Sequence, residues 1–304
     1  MKRYIFYFKF ALLAVTFAMS CSNSNDENET TVPESSVIKK GTGNFTYTDY
    51  EPFKNKPIKV YYSVPDEDLT NIPVVLVFPG TNRDAVNYIQ PWESLSSKYH
   101  CMVFAIEFPE LYYTDNEYIT GNVISNSGSF IDKKNWTFSI VEPLFEYIKS
   151  QTGNTTANYL MFGHSAGSQF VHRFVLFNGA STKVKTAISA NAGWYTEPST
   201  TIAFPYGLKN SQLSEADIKA AMNVKMIIHL GQNDTDPNDS SIRHTPEADA
   251  QGLYRYARGL YFYNKSKTHA DSNGYFFNWT KREVPNVGHD QAAMAVDAAK
   301  AFFE

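Results

Sequence analysis

The chain has 304 residues, 43% of them hydrophobic and 19% charged, a balance that supplies a full core and excludes a wholly disordered protein. The formal net charge of −4, without any cluster of Lys and Arg, excludes the electrostatic footprint of a nucleic-acid-binding surface. Aromatic residues reach 15%, with 20 Tyr and 22 Phe; many belong to a core, and the excess of Tyr also suits a cleft that stacks rings or sugars.

Residues 1–20 read as a signal peptide. Lys2, Arg3 and Lys9 make a positive start, the apolar run Phe10–Ala18 is too short to span a bilayer, and small residues precede a cut after Ser20. Cleavage there leaves Cys21 first. The segment resembles the leader of a bacterial lipoprotein, in which that Cys carries lipid, although Ala18 and Met19 depart from the usual residues. The resemblance implies export and a lipid anchor at Cys21; ordinary secretion with the same cut is the alternative. Residues 21–42 then form a polar tether. Its acidic stretch Ser22–Glu29 lacks the apolar content to fold and resembles the tags that send some Gram-negative lipoproteins to the outer surface. The chain has two cysteines, so lipidation of Cys21 leaves Cys101, in an apolar run, as a buried and inert thiol.

From residue 43 to 304 the sequence reads as one domain in which strands and helices alternate. Ile58–Val64 is a strand between turn residues, and the continuous apolar run Ile72–Phe78 suits a parallel strand buried on both faces. Asp84–Tyr99 reads as a helix interrupted near Pro91, and Cys101–Phe108 as a second buried strand. The stretch 107–135 is long and irregular, with Tyr112, Tyr113, Tyr118 and Phe130 among Gly, Asn and Ser, and is expected to form a lid-like insertion. Trp136–Ser150 is an amphipathic helix. Strands follow at Asn158–Phe162, Val184–Ser189, Val224–Leu230 and Tyr275–Val284, and helices at Gly167–Phe177, Pro246–Tyr263 and His289–Phe303. This alternation predicts an α/β fold with a mostly parallel sheet covered by helices on both faces.

Gly163-His164-Ser165-Ala166-Gly167 fits G-x-S-x-G, with a strand running straight in and a helix straight out. So sharp a turn strains the backbone at Ser165, and the flanking glycines relieve the crowding between strand and helix. The hydroxyl stands at the C-terminal edge of the sheet as a candidate nucleophile. The Ala166 N–H at the helix start is a candidate oxyanion donor. A second donor is expected from the loop Phe78-Pro-Gly-Thr-Asn-Arg83: the Thr81 N–H, with Asn82 as the alternative. An acid is expected after strand Val224–Leu230, where Asp234 and Asp236 both stand at the same sheet edge. The segment 234–239 lacks the spacing of a calcium loop, and no metal or other cofactor is expected. The base is sought after the acid. His289, in Asn286-Val-Gly-His-Asp290, follows the last strand on the catalytic edge; His269 reads as a solvated residue at the opposite edge, and His244 lies too close to the acid loop. Trp194, which follows a strand at that edge, is either a stacking wall for an aromatic acid or sugar or a packed residue. Tyr112 and Tyr113 are assigned to the lid, with Tyr113 expected, like Trp194, to contact substrate.

With these motifs in this order, residues 57–304 resemble the α/β-hydrolase superfamily. The stretch Gly163-His-Ser-Ala-Gly-Ser-Gln-Phe-Val-His-Arg-Phe174 is similar to secreted enzymes of the polyhydroxybutyrate-depolymerase and feruloyl- or acetyl-esterase types. The resemblance implies a Ser165–His289–Asp234 triad, since the Gly231-x-x-Asp234 pattern favours Asp234, with Asp236 second. The implied activity is hydrolysis of a carboxylic ester, such as an acyl or feruloyl group on a glycan. A serine peptidase on the same fold and a non-catalytic surface glycan-binding protein are the competing readings.

Overall fold

The computed structural model describes residues 37–304. The leader, Cys21 and most of the tether lie outside the described residues. Among those described, no helix is long and apolar enough to cross a membrane. The domain begins earlier than the sequence suggests: Ile38 is buried and strand β1 (Gly41–Tyr47) starts before residue 43, because the apolar side chains of this segment seal the sheet edge.

Seven further strands follow: β2 (Ile58–Val64), β3 (Val74–Phe78), β4 (Met102–Glu107), β5 (Tyr159–His164), β6 (Val184–Ala190), β7 (Met226–Gly231) and β8 (Trp279–Val284). They form one sheet in the order β1-β2-β4-β3-β5-β6-β7-β8. The β1–β2 and β2–β4 pairs are antiparallel and the rest parallel, so β2 alone runs against the others. Every residue of β3 and β5 is buried, as their unbroken apolar runs require of strands covered on both faces.

Helices α1 (Ala85–Tyr99) and α8 (Gln291–Phe303) cover one face over Val75, Val77 and Ile188. The opposite face, over Leu76, Phe78 and Met161, carries α3 (Val141–Thr152), α4 (Ala166–Asn178), α5 (Glu215–Asn223) and α7 (Arg255–Asn273). All of α4 is buried, His172 and Arg173 included, which makes it the central helix of that layer. Because β3 leads outward to β4 while β5 leads the other way to β6, a crevice opens between the C-terminal ends of β3 and β5. In open parallel sheets this is where ligands bind.

Four expectations are corrected. Helix α1 is continuous through Pro91, because the Asn87 carbonyl that Pro91 cannot serve accepts instead from the Gln291 side chain at 3.2 Å. The single helix expected over 246–263 is split into α6 (Pro246–Asp249) and α7 by a turn at Gly252, whose φ is 140°. Helix α5 was not foreseen; its one signal is the capping box of Ser214 and Asp217. In the segment 107–135 the first half packs as a buttress, while residues 126–130 are exposed. It holds α2 (Asp115–Ile119), capped by Thr114 and Glu117, and it buries Tyr113 and Tyr118 completely.

Cys101 is buried at the start of β4, and burial pushes its thiol up to about 12. Iodoacetamide at pH 8 is therefore expected to leave Cys101 unmodified in the native protein and to alkylate it fully in denaturant, as read by peptide mass spectrometry. Rapid native modification would contradict this packing.

Candidate active site

Ser165 sits between β5 and α4 with φ 57° and ψ −117°, a conformation that only over-determined surroundings sustain. Those surroundings are the close approach of three elements. A Cβ on Gly163 would lie 2.2 Å from the Gly167 carbonyl oxygen, and one on Gly167 would lie 1.9 Å from that of Phe78. Only glycine permits this contact between strand and helix. The Ser165 N–H donates to Ala190 O of the neighbouring strand at 3.0 Å, which ties the turn to the sheet. Ala166 opens α4, so its N–H has no acceptor within the helix and is free for a ligand.

The parallel pairing of β3 with β5 sets Phe78 opposite Gly163, which brings the loop after β3 alongside Ser165. A Cβ on Gly80 would stand 3.4 Å from that of Ser165, so the backbone reaches Ser165 here without a side chain between. Thr81 and Asn82 both line the cavity beside Ser165. The loop closes with Arg83 N donating to Gly80 O at 3.0 Å, and Arg83 has φ 54°. Its buried guanidinium donates to the carbonyls of Phe108 (3.2 Å) and Tyr113 (3.1 Å) and to Asp115 (2.5 Å), and lies 4.4 Å from the Tyr118 ring centroid. The Tyr118 hydroxyl donates to Pro79 O at 2.7 Å. The 107–135 segment thus anchors this loop from below.

His289 follows β8 and meets Asp234, which follows β7: Nδ1 is 2.7 Å from Oδ2. A proton on Nδ1 donates to the carboxylate and leaves Nε2 as the acceptor. Asp234 is buried and held on both oxygens. Asn191 Nδ2 donates to Oδ2 at 2.7 Å, and Arg255 reaches Oδ1 at 3.4 Å while pairing with Asp239 at 2.8 Å. Asn191, with φ 51°, also receives the Gly231 N–H and donates to Gly288 O, joining the ends of β6, β7 and the His289 loop.

Asp236 is exposed, and its Oδ1 accepts from Asn238 N. His244 bonds Asp249 and the Pro237 carbonyl; His269 lies on α7, half-buried and paired with Glu215 at 2.9 Å. Neither lines the cavity. Among the described residues no group of three or more His, Cys, Asp or Glu could hold a metal ion. In the segment 234–239, Asp234 is engaged by His289 and Asp239 by Arg255, which holds that carboxyl well below the usual range.

Ser165 and His289 line one cavity of about 770 Å³. No direct hydrogen bond joins them in this conformation; such contacts commonly tighten only when substrate arrives. The other walls are Gly80, Thr81, Asn82, Asp84, Asn87, Tyr88, Gln90, Pro91, His164, Ser241, Gln291 and Ala292. Amides and hydroxyls predominate; among the described residues Asp84 is the one carboxylate in the wall, and neither Lys nor Arg contributes.

Two expected substrate contacts are packed elsewhere. Trp194 is buried, its ring between Arg173 (3.9 Å) and the exposed Arg243 (4.8 Å) and against Tyr206. Tyr113 is fully buried against Phe53 and Phe108, and its hydroxyl donates to Lys56 O at 2.7 Å. Both belong to the core because the loops that carry them fold down onto the helical layer. Sequence reasoning missed Asn191, Arg255, Arg83, Tyr88 and His164. Only Asn191 carried a signal, being a residue tolerant of positive φ at the end of a catalytic-edge strand.

No protein-family model matches the chain, and no protein of curated function matches it by sequence. Among solved structures it is similar to poly(aspartic acid) hydrolase-1 from Sphingomonas sp. KT-1, at 34% identity over 88% of this chain and 100% of that one, with a TM-score of 0.84. It is also similar to LpqC, a poly(3-hydroxybutyrate) depolymerase from Bordetella parapertussis, at 27% identity over 87% and 90% of the two chains, TM-score 0.83. An S-formylglutathione hydrolase from Agrobacterium tumefaciens shares the fold at 14% identity, TM-score 0.55, over 88% and 96%.

Proposed function

Because this chain belongs to the serine hydrolases of the α/β-hydrolase fold, we propose that it cleaves carboxylic esters of uncharged, hydrogen-bonding substrates through an acyl-enzyme on Ser165. The observation that carries the reading is the strained Ser165 facing, in one cavity, an imidazole whose far nitrogen is held by the buried Asp234. His289 Nε2 takes the Ser165 proton as Oγ bonds to the ester carbonyl carbon. The resulting oxyanion accepts from the Ala166 and Thr81 amides, and Asp234 stabilises the imidazolium. Collapse breaks the carbon–oxygen bond to the alcohol, which leaves with the proton from His289. Water then attacks the acyl-enzyme by the same route and restores Ser165.

The cavity wall argues for the substrate class. A neutral chain of hydroxyls, ethers or esters finds donors and acceptors at Asn82, Asn87, Gln90 and Gln291. A polyanion meets Asp84 with no compensating cation. One unfavourable charge contact at a half-buried site costs about 1–2 kcal/mol, roughly tenfold in binding. Poly(aspartic acid) is a polyamide, and the similarity to its hydrolase supports amide cleavage as a second reading.

One panel separates the two: p-nitrophenyl esters, hydroxyalkanoate oligomers and acetylated or feruloylated sugars, run beside poly(aspartic acid). The expected result is turnover of the neutral esters with kcat/KM at least about tenfold above that for the polyanion. Preferential cleavage of poly(aspartic acid) would overturn the assignment. We propose further, from the leader read in the sequence alone, that the enzyme is exported and tethered to a bacterial membrane through Cys21.

A further inference from the structure

The catalytic assignment leaves two cavity residues without a role. Tyr88 projects from the first turns of α1, and its hydroxyl is 2.9 Å from His164 Nδ1. His164, buried beside the nucleophile, sets its ring 4.5 Å from that of His289, centroid to centroid, at an interplanar angle of 36°. On its other side Tyr88 meets the loop after β3. The phenol oxygen lies 2.7 Å from where a Cβ on Gly80 would be, so it packs directly on the backbone of that loop.

We propose that Tyr88 and His164 act as one positioning unit, which sets the Gly80–Thr81 loop and the His289 ring in register across Ser165. This rests on reading Ser165 and His289 as nucleophile and base. One hydrogen bond of 2.9 Å joins the Tyr88 hydroxyl to His164 Nδ1 and fixes the two rings against each other. A neutral plate against His289 is what the chemistry needs, since a cation at that distance would oppose the imidazolium formed during attack. Burial, together with the facing His289, holds His164 far toward its uncharged form, and burial keeps the Tyr88 phenol protonated. The donor and the base sit on loops after different strands, so some link must hold their separation. Displacing either by about 1 Å is enough to cost roughly 10²-fold in rate.

The test uses Tyr88→Phe, His164→Asn and the double variant with a soluble p-nitrophenyl ester, active sites being counted by end-point labelling with a fluorophosphonate. Asn at 164 keeps an acceptor near the Nδ1 position and removes the ring face. Tyr88→Phe is expected to lower kcat per labelled site by about 10- to 100-fold with KM within about twofold. The double variant should lose little more than the worse single variant, because the two residues act together. A purely structural role predicts fewer labelled sites with unchanged kcat at each. Full kcat per site in Tyr88→Phe, or losses that multiply in the double variant, would overturn the proposal. If a variant does not fold, the remaining single variant judged by the same per-site kcat decides. Failure of the catalytic assignment itself looks different: wild-type protein would then neither label at Ser165 nor turn over esters.

Discussion

Replacing Ser165 with alanine is expected to abolish ester turnover, lowering kcat by about 10⁴–10⁶ and eliminating fluorophosphonate labelling, while the protein stays folded. The size follows from the division of labour. Without Oγ no acyl-enzyme forms, and only the oxyanion donors and the binding surface remain to assist direct attack by water. The effect on stability is small for a separate reason. The hydroxyl makes no side-chain hydrogen bond, and the turn is held by the backbone bond to Ala190 and by the approach of Gly163 and Gly167 to their neighbours. Alanine keeps the Cβ and loses only an oxygen that faces the cavity. Thermal melts of the two proteins should therefore overlay within a few degrees as kcat collapses. Retained turnover in Ser165→Ala, measured on protein free of contaminating esterase, would remove the nucleophile from the mechanism.

Asp234→Asn carries the second large effect, a drop in kcat of about 10⁴, with KM little altered. The carboxylate now accepts from His289 Nδ1 at 2.7 Å and from Asn191 at 2.7 Å. An amide presents a donor where an acceptor is needed, so the imidazole turns over or adopts the tautomer with its proton on Nε2, facing Ser165. The substitution also removes one of two carboxylates beside the buried Arg255, leaving Asp239 at 2.8 Å as its partner. Stability is expected to fall by about 1–3 kcal/mol, since the partner charge is only partly orphaned. Asp236→Asn is the control. Its side chain caps a local turn at Asn238 and is exposed, so activity should stay within about twofold of wild type. Were Asp236→Asn the damaging change and Asp234→Asn the silent one, the acid would have to be reassigned.

Several features of this site were legible because their physics is local. A buried strand, a glycine, a serine, a second glycine and an apolar helix occupy consecutive positions from Tyr159 to Asn178, and any chain that folds this stretch as strand and helix must make the turn between them. Asp234 and His289 could be found for a related reason. Each follows a strand of recognisable composition, and parallel strands deliver their C-terminal ends to one edge. The 107–135 segment misled for the converse reason. Tyr113 and Tyr118 lie among polar and glycine residues that imitate a mobile loop, yet their partners are Lys56, Phe53 and Pro79, far away in the chain.

By itself, then, the amino-acid sequence determined the alternation of elements, the strand–Ser165–helix turn and the placing of Asp234 and His289 after late strands, since these depend on neighbours within a few residues or on the rule that parallel strands share an edge. Only the tertiary structure decided that Asp234 and not Asp236 meets His289, that Trp194 packs instead of lining the cleft, and that Asn191, Arg255, Tyr88 and His164 surround Ser165, His289 and Asp234. Those contacts join the ends of different strands and helices. Their partners are chosen by strand order and by the packing of α1 and α7 against the sheet, and no pattern along one segment records either.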